Sequence, residues 1–350
     1  MEDVQKNRRE IYIDLLRILA CFLVVVCHTN GWGFDKQIIN ANWFLSVGWY
    51  LISKTAVPVF FMISGALLLK KDYTYKQIVK KIIVRILIPL IIFSAVIYFK
   101  KSPIISYQNI KSFIWAFLTC NILQYYWFLY SLIALYIMTP FLRKMIKNFE
   151  YKDYIIFISI WILIQGIIPI LEHYTKFKVT NNFAIQIVQG YLGYYILGYF
   201  LFNIFDIKKN KSNFIIVLVG FIIDIVISTL ITYIDMKNSN FKVYDVFLDR
   251  LNHITIIIPS VCIVYIFLYL YKNTVFSNTT NKMITAISST TFGIYLIHGV
   301  LIDRFKNLYD FLANFLYEFD AKIITQILIF GGLIAICYVI KKIPFINKII

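Results

Sequence analysis

Ten apolar stretches follow one another along the chain, each close to the roughly 20 residues that a helix needs to cross a bilayer. They are predicted at residues 12–29, 48–69, 82–99, 112–138, 154–171, 185–205, 213–233, 252–271, 283–302 and 322–342. The fourth is overlong and could contain a break at the polar "TCNILQ" (119–124). This series predicts an all-α polytopic membrane protein. The 60% content of hydrophobic residues agrees, because soluble domains lie nearer one half.

The charge distribution indicates how the chain is oriented. Most Lys and Arg residues lie in alternate connecting segments, beginning with the N-terminal one, so the positive-inside rule predicts both termini in the cytoplasm. The net charge of +17 is scattered through short loops, which argues against nucleic acid as a partner and leaves the lipid bilayer. We expect one membrane domain over 1–350, with a cytoplasmic segment 1–11, a transmembrane bundle 12–342 and a cytoplasmic tail 343–350.

The first apolar stretch carries three residues that hydrocarbon disfavours, namely Asp14, Arg17 and His28. An Arg or Asp at the centre of a spanning helix costs about 2.5–3.5 kcal/mol, so such residues are candidates for function. Helical periodicity places Arg17 and His28 within about 20° of one face and about 16 Å apart along the axis. Asp14 lies one turn before Arg17 and can pair with it. A snorkelling arginine and an interfacial histidine are the alternative, but the shared face favours function.

A transporter or exporter is a second interpretation of the same residues. Asp224 lies well inside the seventh predicted span, in "GFIIDIVIS". Together with Arg17 and His28 it could form a polar path through the membrane for a small molecule or a polysaccharide.

Other polar residues have weaker explanations. Glu172 and His173 are adjacent in an outer loop and are a rival acid–base pair, although neighbouring side chains point apart in regular structure. Lys54 is expected to snorkel to the outer surface. The five cysteines all fall within predicted spans and form no CxxC pair, so the sequence implies neither a disulfide nor a metal.

Four motifs carry a resemblance to a known family. "YIDLLRILACFLVVVCH" has a basic residue, ten intervening positions and then a histidine, at Arg17 and His28. "AVPVFFMISGALLL" (56–69), "YYWFLYSLIALYIMTPFLR" (125–143) and "TTFGIYLIHGVL" (290–301) follow in order. Together they resemble the acyltransferase-3 family of bacterial integral membrane O-acyltransferases. Some members carry a fused SGNH hydrolase-like domain, and we expect here a stand-alone membrane domain without one.

The resemblance implies a fold of about ten membrane helices and an activity. Members transfer an acyl group, usually acetyl, from coenzyme A to a sugar hydroxyl, often on cell-surface polysaccharide. The expected partners are therefore acyl-CoA as co-substrate, a glycan acceptor and the bilayer of the bacterial cytoplasmic membrane. No metal is expected, and a homo-oligomer stays open.

The resemblance also assigns expected roles to individual residues. His28 is the expected general base, since histidine commonly removes a hydroxyl proton near neutral pH, and a covalent acyl-histidine is the alternative. Asp14, Arg17 and His298 are expected to support it, the first two near the donor entrance and His298 on the acceptor side or orienting the base. Arg85, Lys80 and Lys81 are expected to bind the donor phosphates, although the positive-inside rule explains the two lysines better than Arg85. Trp127, Tyr295 and Ser64 are expected to line the acceptor path.

Overall fold

The computed structural model describes residues 10–33, 38–104, 106–175, 178–179, 190–207, 210–240, 246–272 and 274–344, and within these ranges it contains helices and no strand. In chain order the α-helices are α1 Ile11–Thr29, α2 Ala41–Lys54, α3 Ala56–Leu68, α4 Tyr75–Ile82, α5 Ile88–Lys101, α6 Tyr107–Leu118, α7 Trp127–Ile146, α8 Tyr151–Trp161, α9 Ile168–Tyr174, α10 Leu192–Tyr199, α11 Lys211–Asn238, α12 Ile254–Tyr271, α13 Asn278–Ser288, α14 Thr291–Leu301, α15 Lys306–Ala313 and α16 Glu318–Ile340.

Several of these helices join into segments that are long and apolar enough to cross a membrane. The described residues contain eight: Ile11–Thr29, Ala41–Leu68, Tyr75–Lys101, Gln124–Ile146, Tyr151–Tyr174, Lys211–Asn238, Ile254–Tyr271 and Glu318–Ile340. A ninth candidate is α13 with Thr291–Ala313, bent by 46°. The predicted span 185–205 corresponds to the shorter apolar helix Leu192–Ile204, and its first residues, 185–189, lie outside the described ones. The prediction of an all-α polytopic membrane protein is confirmed.

Two predicted spans have different bounds in the structure. The fourth, 112–138, is not one helix, because α6 and α7 are separated by residues 119–126, which include the expected break at 119–124. Cys120 there has a φ of 57°, a left-handed conformation that a continuing helix cannot contain. The second span starts at Ala41 instead of residue 48, since α2 is capped by the Asn40 side chain, which accepts from the Trp43 amide.

Helix α1 lies at the centre of the bundle. It packs against α2, α3, α12, α13, α14 and α16. By contrast, α11 packs mainly against α2 and α12. Only 11% of an apolar 18-residue stretch of α11 is buried inside the protein. A helix that is apolar all round and exposed on most sides is suited to face lipid. The residues of α1 are therefore the ones best placed to form an internal site.

The crossing of α3 and α10 depends on two glycines. A Cβ atom at Gly65 would overlap the backbone of Tyr195, and a Cβ atom at Gly198 would overlap the backbone of Met62. Small residues at such a crossing allow two membrane helices to approach backbone to backbone. This contact holds α3 against the core, and α3 forms one side of the cavities described below.

We predict that Gly198→Ala lowers the thermal stability of the protein in detergent. The added methyl meets backbone atoms that cannot move without shifting a helix, and overpacking of this kind costs about 1–3 kcal/mol. The matched control is Gly220→Ala on α11, where a Cβ atom would meet nothing within 4 Å. It should be neutral or slightly stabilising, because alanine favours a helix over glycine. Equal melting temperatures for both variants would contradict the close crossing.

Candidate active site

A cavity of about 440 Å³ lies beside the N-terminal half of α1. Four basic side chains line it, namely Arg17, Lys71, Lys81 and Arg85. The rest of its wall is mostly apolar, from α3, α7 and the start of α14. Its size falls within the roughly 300–1,000 Å³ of small-molecule sites. We call it the basic cavity.

A buried carboxylate orients Arg17 in this cavity. Asp14 is 1% exposed and forms an ion pair with Arg17 at 3.2 Å, as helical spacing predicts. The same carboxylate accepts a hydrogen bond of 2.7 Å from Ser288 at the end of α13. Asp14 therefore ties α1 to α13 and fixes the side of α1 from which the guanidinium projects.

Arg85 reaches the basic cavity from an irregular part of its helix. Residues Ile83–Leu87 form a π-helical turn between α4 and α5. Such turns insert one extra residue and are frequent at functional sites. Nearby, Arg143 contacts both Asp72 and the carbonyl of Leu69. The hydrogen bond from the Arg143 guanidinium holds the pKa of the Asp72 carboxyl, in the α3–α4 loop, below its usual range.

A second cavity, of about 130 Å³, lies at the other end of α1. His28 lines it, with an exposed side chain, and we call it the histidine cavity. Lys54 and Val57 line it from the α2–α3 junction, and Tyr125 and Trp127 line it from the start of α7.

Two histidines and a tyrosine form a ring cluster at this cavity. The His28 ring lies 5.1 Å from that of His298 and 5.5 Å from that of Tyr125, centroid to centroid. His298 is fully buried, and its Nδ1 lies 2.6 Å from the carbonyl oxygen of Tyr295. A carbonyl only accepts, so Nδ1 carries the proton and Nε2 the lone pair in the neutral ring. That Nε2 is buried and has no hydrogen-bond partner in the described part of the chain.

Reciprocal hydrogen bonds hold the cluster together. Tyr295 donates to the carbonyl of Tyr125, and Tyr126 donates to that of Leu296 at 2.8 Å. Gly299 leaves room for Tyr125, because a Cβ atom there would overlap its ring. The 3-10 turn Gln124–Tyr126, just before α7, is thus fixed against α14, one turn from His298.

The two cavities are adjacent, and both are lined by Phe128 and Tyr295. These rings lie 5.4 Å apart in an edge-to-face contact. Each is 6% exposed. We call the pair the aromatic wall. It separates the four cations from the two histidines.

The structure places most of the predicted site residues at these cavities. Arg17, Arg85 and Lys81 line the basic cavity, and Trp127 and Tyr295 line the histidine cavity. Ser64, expected on the acceptor path, instead lines the basic cavity, because it lies two turns beyond the α2–α3 junction. Lys80 lines neither cavity, since it points from another face of α4 than Lys81.

The residues of the alternative interpretations lie elsewhere. Asp224 lines neither cavity and belongs to α11, so it does not extend a path from Arg17 to His28. His173 stacks on the ring of Phe247 with centroids 3.6 Å apart. The described residues contain no group of three or more His, Cys, Asp or Glu side chains that could hold a metal ion.

Sequence reasoning misplaced Lys54. It lies near the middle of the 28-residue segment Ala41–Leu68 and lines the histidine cavity, where it pairs with Asp249 at 3.1 Å. Tyr50 donates to the same carboxylate at 2.8 Å. Setting the start of the second span at residue 48 put Lys54 near a membrane surface. The signal that could have corrected this is the mostly apolar run "ANWFLSV" (41–47) before residue 48, which α2 includes.

The fold and the two adjoining cavities define a polytopic membrane protein with an internal site built around α1. Residues 10–342 match a family model described as an acyltransferase domain. The chain therefore belongs to the acyltransferase-3 family and is a membrane acyltransferase. No curated protein and no solved structure matches the chain.

We predict that Lys54 and Asp249 depend on each other for stability. Both side chains are less than one-third exposed, at 21% and 25%. Removal of either charge should lower the free energy of unfolding by about 1–3 kcal/mol. This lies between the values for exposed and for buried ion pairs. The double variant Lys54→Met with Asp249→Asn should lose less than the sum of the two single variants in thermal unfolding.

The matched control for this cycle is the exposed pair of Lys152 and Glu150, which are 72% and 71% exposed at 3.0 Å. Lys152→Met removes this pair and leaves Glu150 in place as the N-cap of α8, so it should leave the melting temperature unchanged. Strictly additive effects of the Lys54 and Asp249 variants would show that the ion pair does not contribute.

Proposed function

We propose that the protein transfers an acyl group, in the first instance acetyl, from cytoplasmic acyl-CoA to a hydroxyl of a cell-surface or other extracytoplasmic glycan in the bacterial cytoplasmic membrane. The observation that carries this proposal is the arrangement at the aromatic wall. Four cations face one side of it, and an accessible histidine faces the other. A polyanionic thioester donor and a neutral hydroxyl acceptor require those two environments.

The basic cavity has the chemistry for the donor. Coenzyme A carries phosphates, and arginine binds phosphate through two parallel N–H donors while lysine acts as a point charge. Arg17 is already oriented by Asp14, so it can receive a phosphate without losing much side-chain freedom. The apolar remainder of the wall suits the pantetheine arm. With the N-terminus in the cytoplasm, this cavity opens on the side where acyl-CoA is found.

His28 is the proposed general base. A ring nitrogen of His28 takes the proton of the acceptor hydroxyl while the hydroxyl oxygen attacks the thioester carbonyl. The tetrahedral intermediate collapses, the C–S bond breaks, and the proton passes to the thiolate to give the ester and coenzyme A. Because the hydroxyl attacks the thioester directly and His28 only carries the proton, these steps require no covalent enzyme intermediate.

His298 is proposed to orient His28. Its Nδ1 is occupied by the Tyr295 carbonyl, and its buried Nε2 lone pair is available to accept an N–H from the neighbouring imidazole. A base held in this way presents its other nitrogen to the substrate and is stabilised when it becomes charged. His298 is therefore a positioning residue.

The histidine cavity is proposed to receive the acceptor. Trp127 and Tyr125 supply aromatic surfaces, which suit the faces of sugar rings. Lys54, paired with Asp249, adds groups that can exchange hydrogen bonds with hydroxyls.

We predict that His28→Gln abolishes transfer. The measurement is the movement of radiolabelled acetyl from acetyl-CoA to a cell-surface glycan fraction by the protein in nanodiscs. Loss of a general base should lower the rate by about 10²–10⁴-fold. His298→Gln should also lower the rate and should shift the pH profile of the remaining activity, because His28 would titrate without its partner.

The matched control is His173→Gln, which changes a histidine stacked on Phe247 and tests the rival pair of Glu172 and His173. It should keep wild-type activity. Transfer that survives His28→Gln but not His173→Gln would move the base to the outer loop. A wild-type protein that turns over no acyl-CoA, with several glycans offered, would favour the transporter interpretation.

A further inference from the structure

We infer that the aromatic wall, Phe128 with Tyr295, determines which acyl chains reach His28 and restricts transfer to short ones. The inference rests on the proposed function. It adds a specificity role for Phe128, which lies in the 125–143 motif but was assigned no role from the sequence.

On three helices, the residues that line the histidine cavity give way to those that line the basic cavity at the aromatic wall. On α7, Trp127 lines only the histidine cavity and Leu129 only the basic cavity, with Phe128 between them. On α3, Val57 lines the histidine cavity and Phe60 the basic cavity. On α14, Thr291 and Phe292 line the basic cavity and Tyr295 lines both. The wall therefore lies at the boundary between the two cavities on α3, α7 and α14.

The wall is held by packing and by a hydrogen bond. The ring of Phe128 lies 4.9 Å from that of Phe61 and 5.9 Å from that of Phe60. Tyr295 is fixed through its hydroxyl, which donates to the carbonyl of Tyr125. Rings packed on several sides cannot swing far without displacing neighbours. Only a small group can pass between them at low cost.

The electrostatics of the two sides require the acyl group, and not the whole donor, to pass the wall. Arg17, Lys71, Lys81 and Arg85 all lie on the basic side. The phosphates gain their partners there, and moving them into an apolar layer would cost many times the gain. The thioester end must therefore extend past Phe128 to meet the hydroxyl that His28 deprotonates.

The size of the histidine cavity sets the limit on chain length. Its volume is about 130 Å³, and a cavity of about 150 Å³ holds a molecule as small as benzene. An acetyl group and the edge of an acceptor fill such a space. A chain of six carbons would have to displace Phe128 or Tyr295.

The test compares acetyl-, butyryl- and hexanoyl-CoA as competing donors, with the protein in nanodiscs and transfer to the glycan fraction as readout. Wild type should prefer acetyl over hexanoyl by at least about 100-fold in kcat/KM, since each excess methylene in a tight pocket costs about 10-fold or more. Phe128→Ala should reduce this ratio at least about 10-fold. Phe128→Leu should give a smaller shift in the same direction, and it serves as the test if the alanine variant does not fold.

The matched control is Phe157→Ala on α8, which removes a ring of the same type that lines neither cavity. It should leave the ratio unchanged. If wild type transfers acetyl but both Phe128 variants keep its chain-length ratio, the wall is not the filter and the proposed function stands. Equal use of acetyl and hexanoyl by wild type would also overturn the inference. If wild type transfers no acyl group, the proposed function fails with it.

Discussion

The carboxylate of Asp14 is the interaction from which the site is built. A charge buried among membrane helices must be paired, because unpaired it would cost several kcal/mol. Asp14 meets that demand with Arg17 on its own helix and Ser288 on α13. The pairing fixes α1 against α13, and only residues 289–290 separate α13 from α14, which carries His298. One buried charge thus helps to set both Arg17 and the second histidine relative to His28.

Backbone carbonyls complete the geometry at the other end of α1. Tyr126 and Tyr295 each donate to a carbonyl of the facing segment, so α7 and α14 are joined where the wall stands. Beyond His28, Gln326 donates to Thr29 at 3.1 Å, and the buried Lys322 donates to Ser46 at 2.7 Å. In a bilayer no water satisfies such groups, so each must find a partner inside the protein. The polar residues of the spans therefore determine which helices are neighbours.

The sequence was sufficient to predict features that lie within a single helix. Apolar length predicted the fold class, and helical spacing predicted the ion pair of Asp14 and Arg17. The sequence did not predict contacts between helices. Residue spacing shows on which face of its helix a side chain lies, but not which helix packs against that face. Lys54 was therefore placed at a surface, and Ser64 was grouped with the acceptor side. His298 came from a motif, but the contact of the Tyr125 ring with both histidines depends on how the segment before α7 packs on α14.

The separation of Arg17, Lys71, Lys81 and Arg85 from His28 is the basis for proposing different tasks for the two cavities. A cation-rich cavity can hold a polyanion in water-accessible surroundings, where the cost of desolvation is small. In the proposed reaction the base acts in the smaller cavity, where His28 is exposed to the acceptor. Moving the phosphates into that cavity would separate them from the four cations of the basic cavity, at a large cost in desolvation. The inferred role of Phe128 and Tyr295 resolves this conflict, because only the acyl end of the donor then passes the wall.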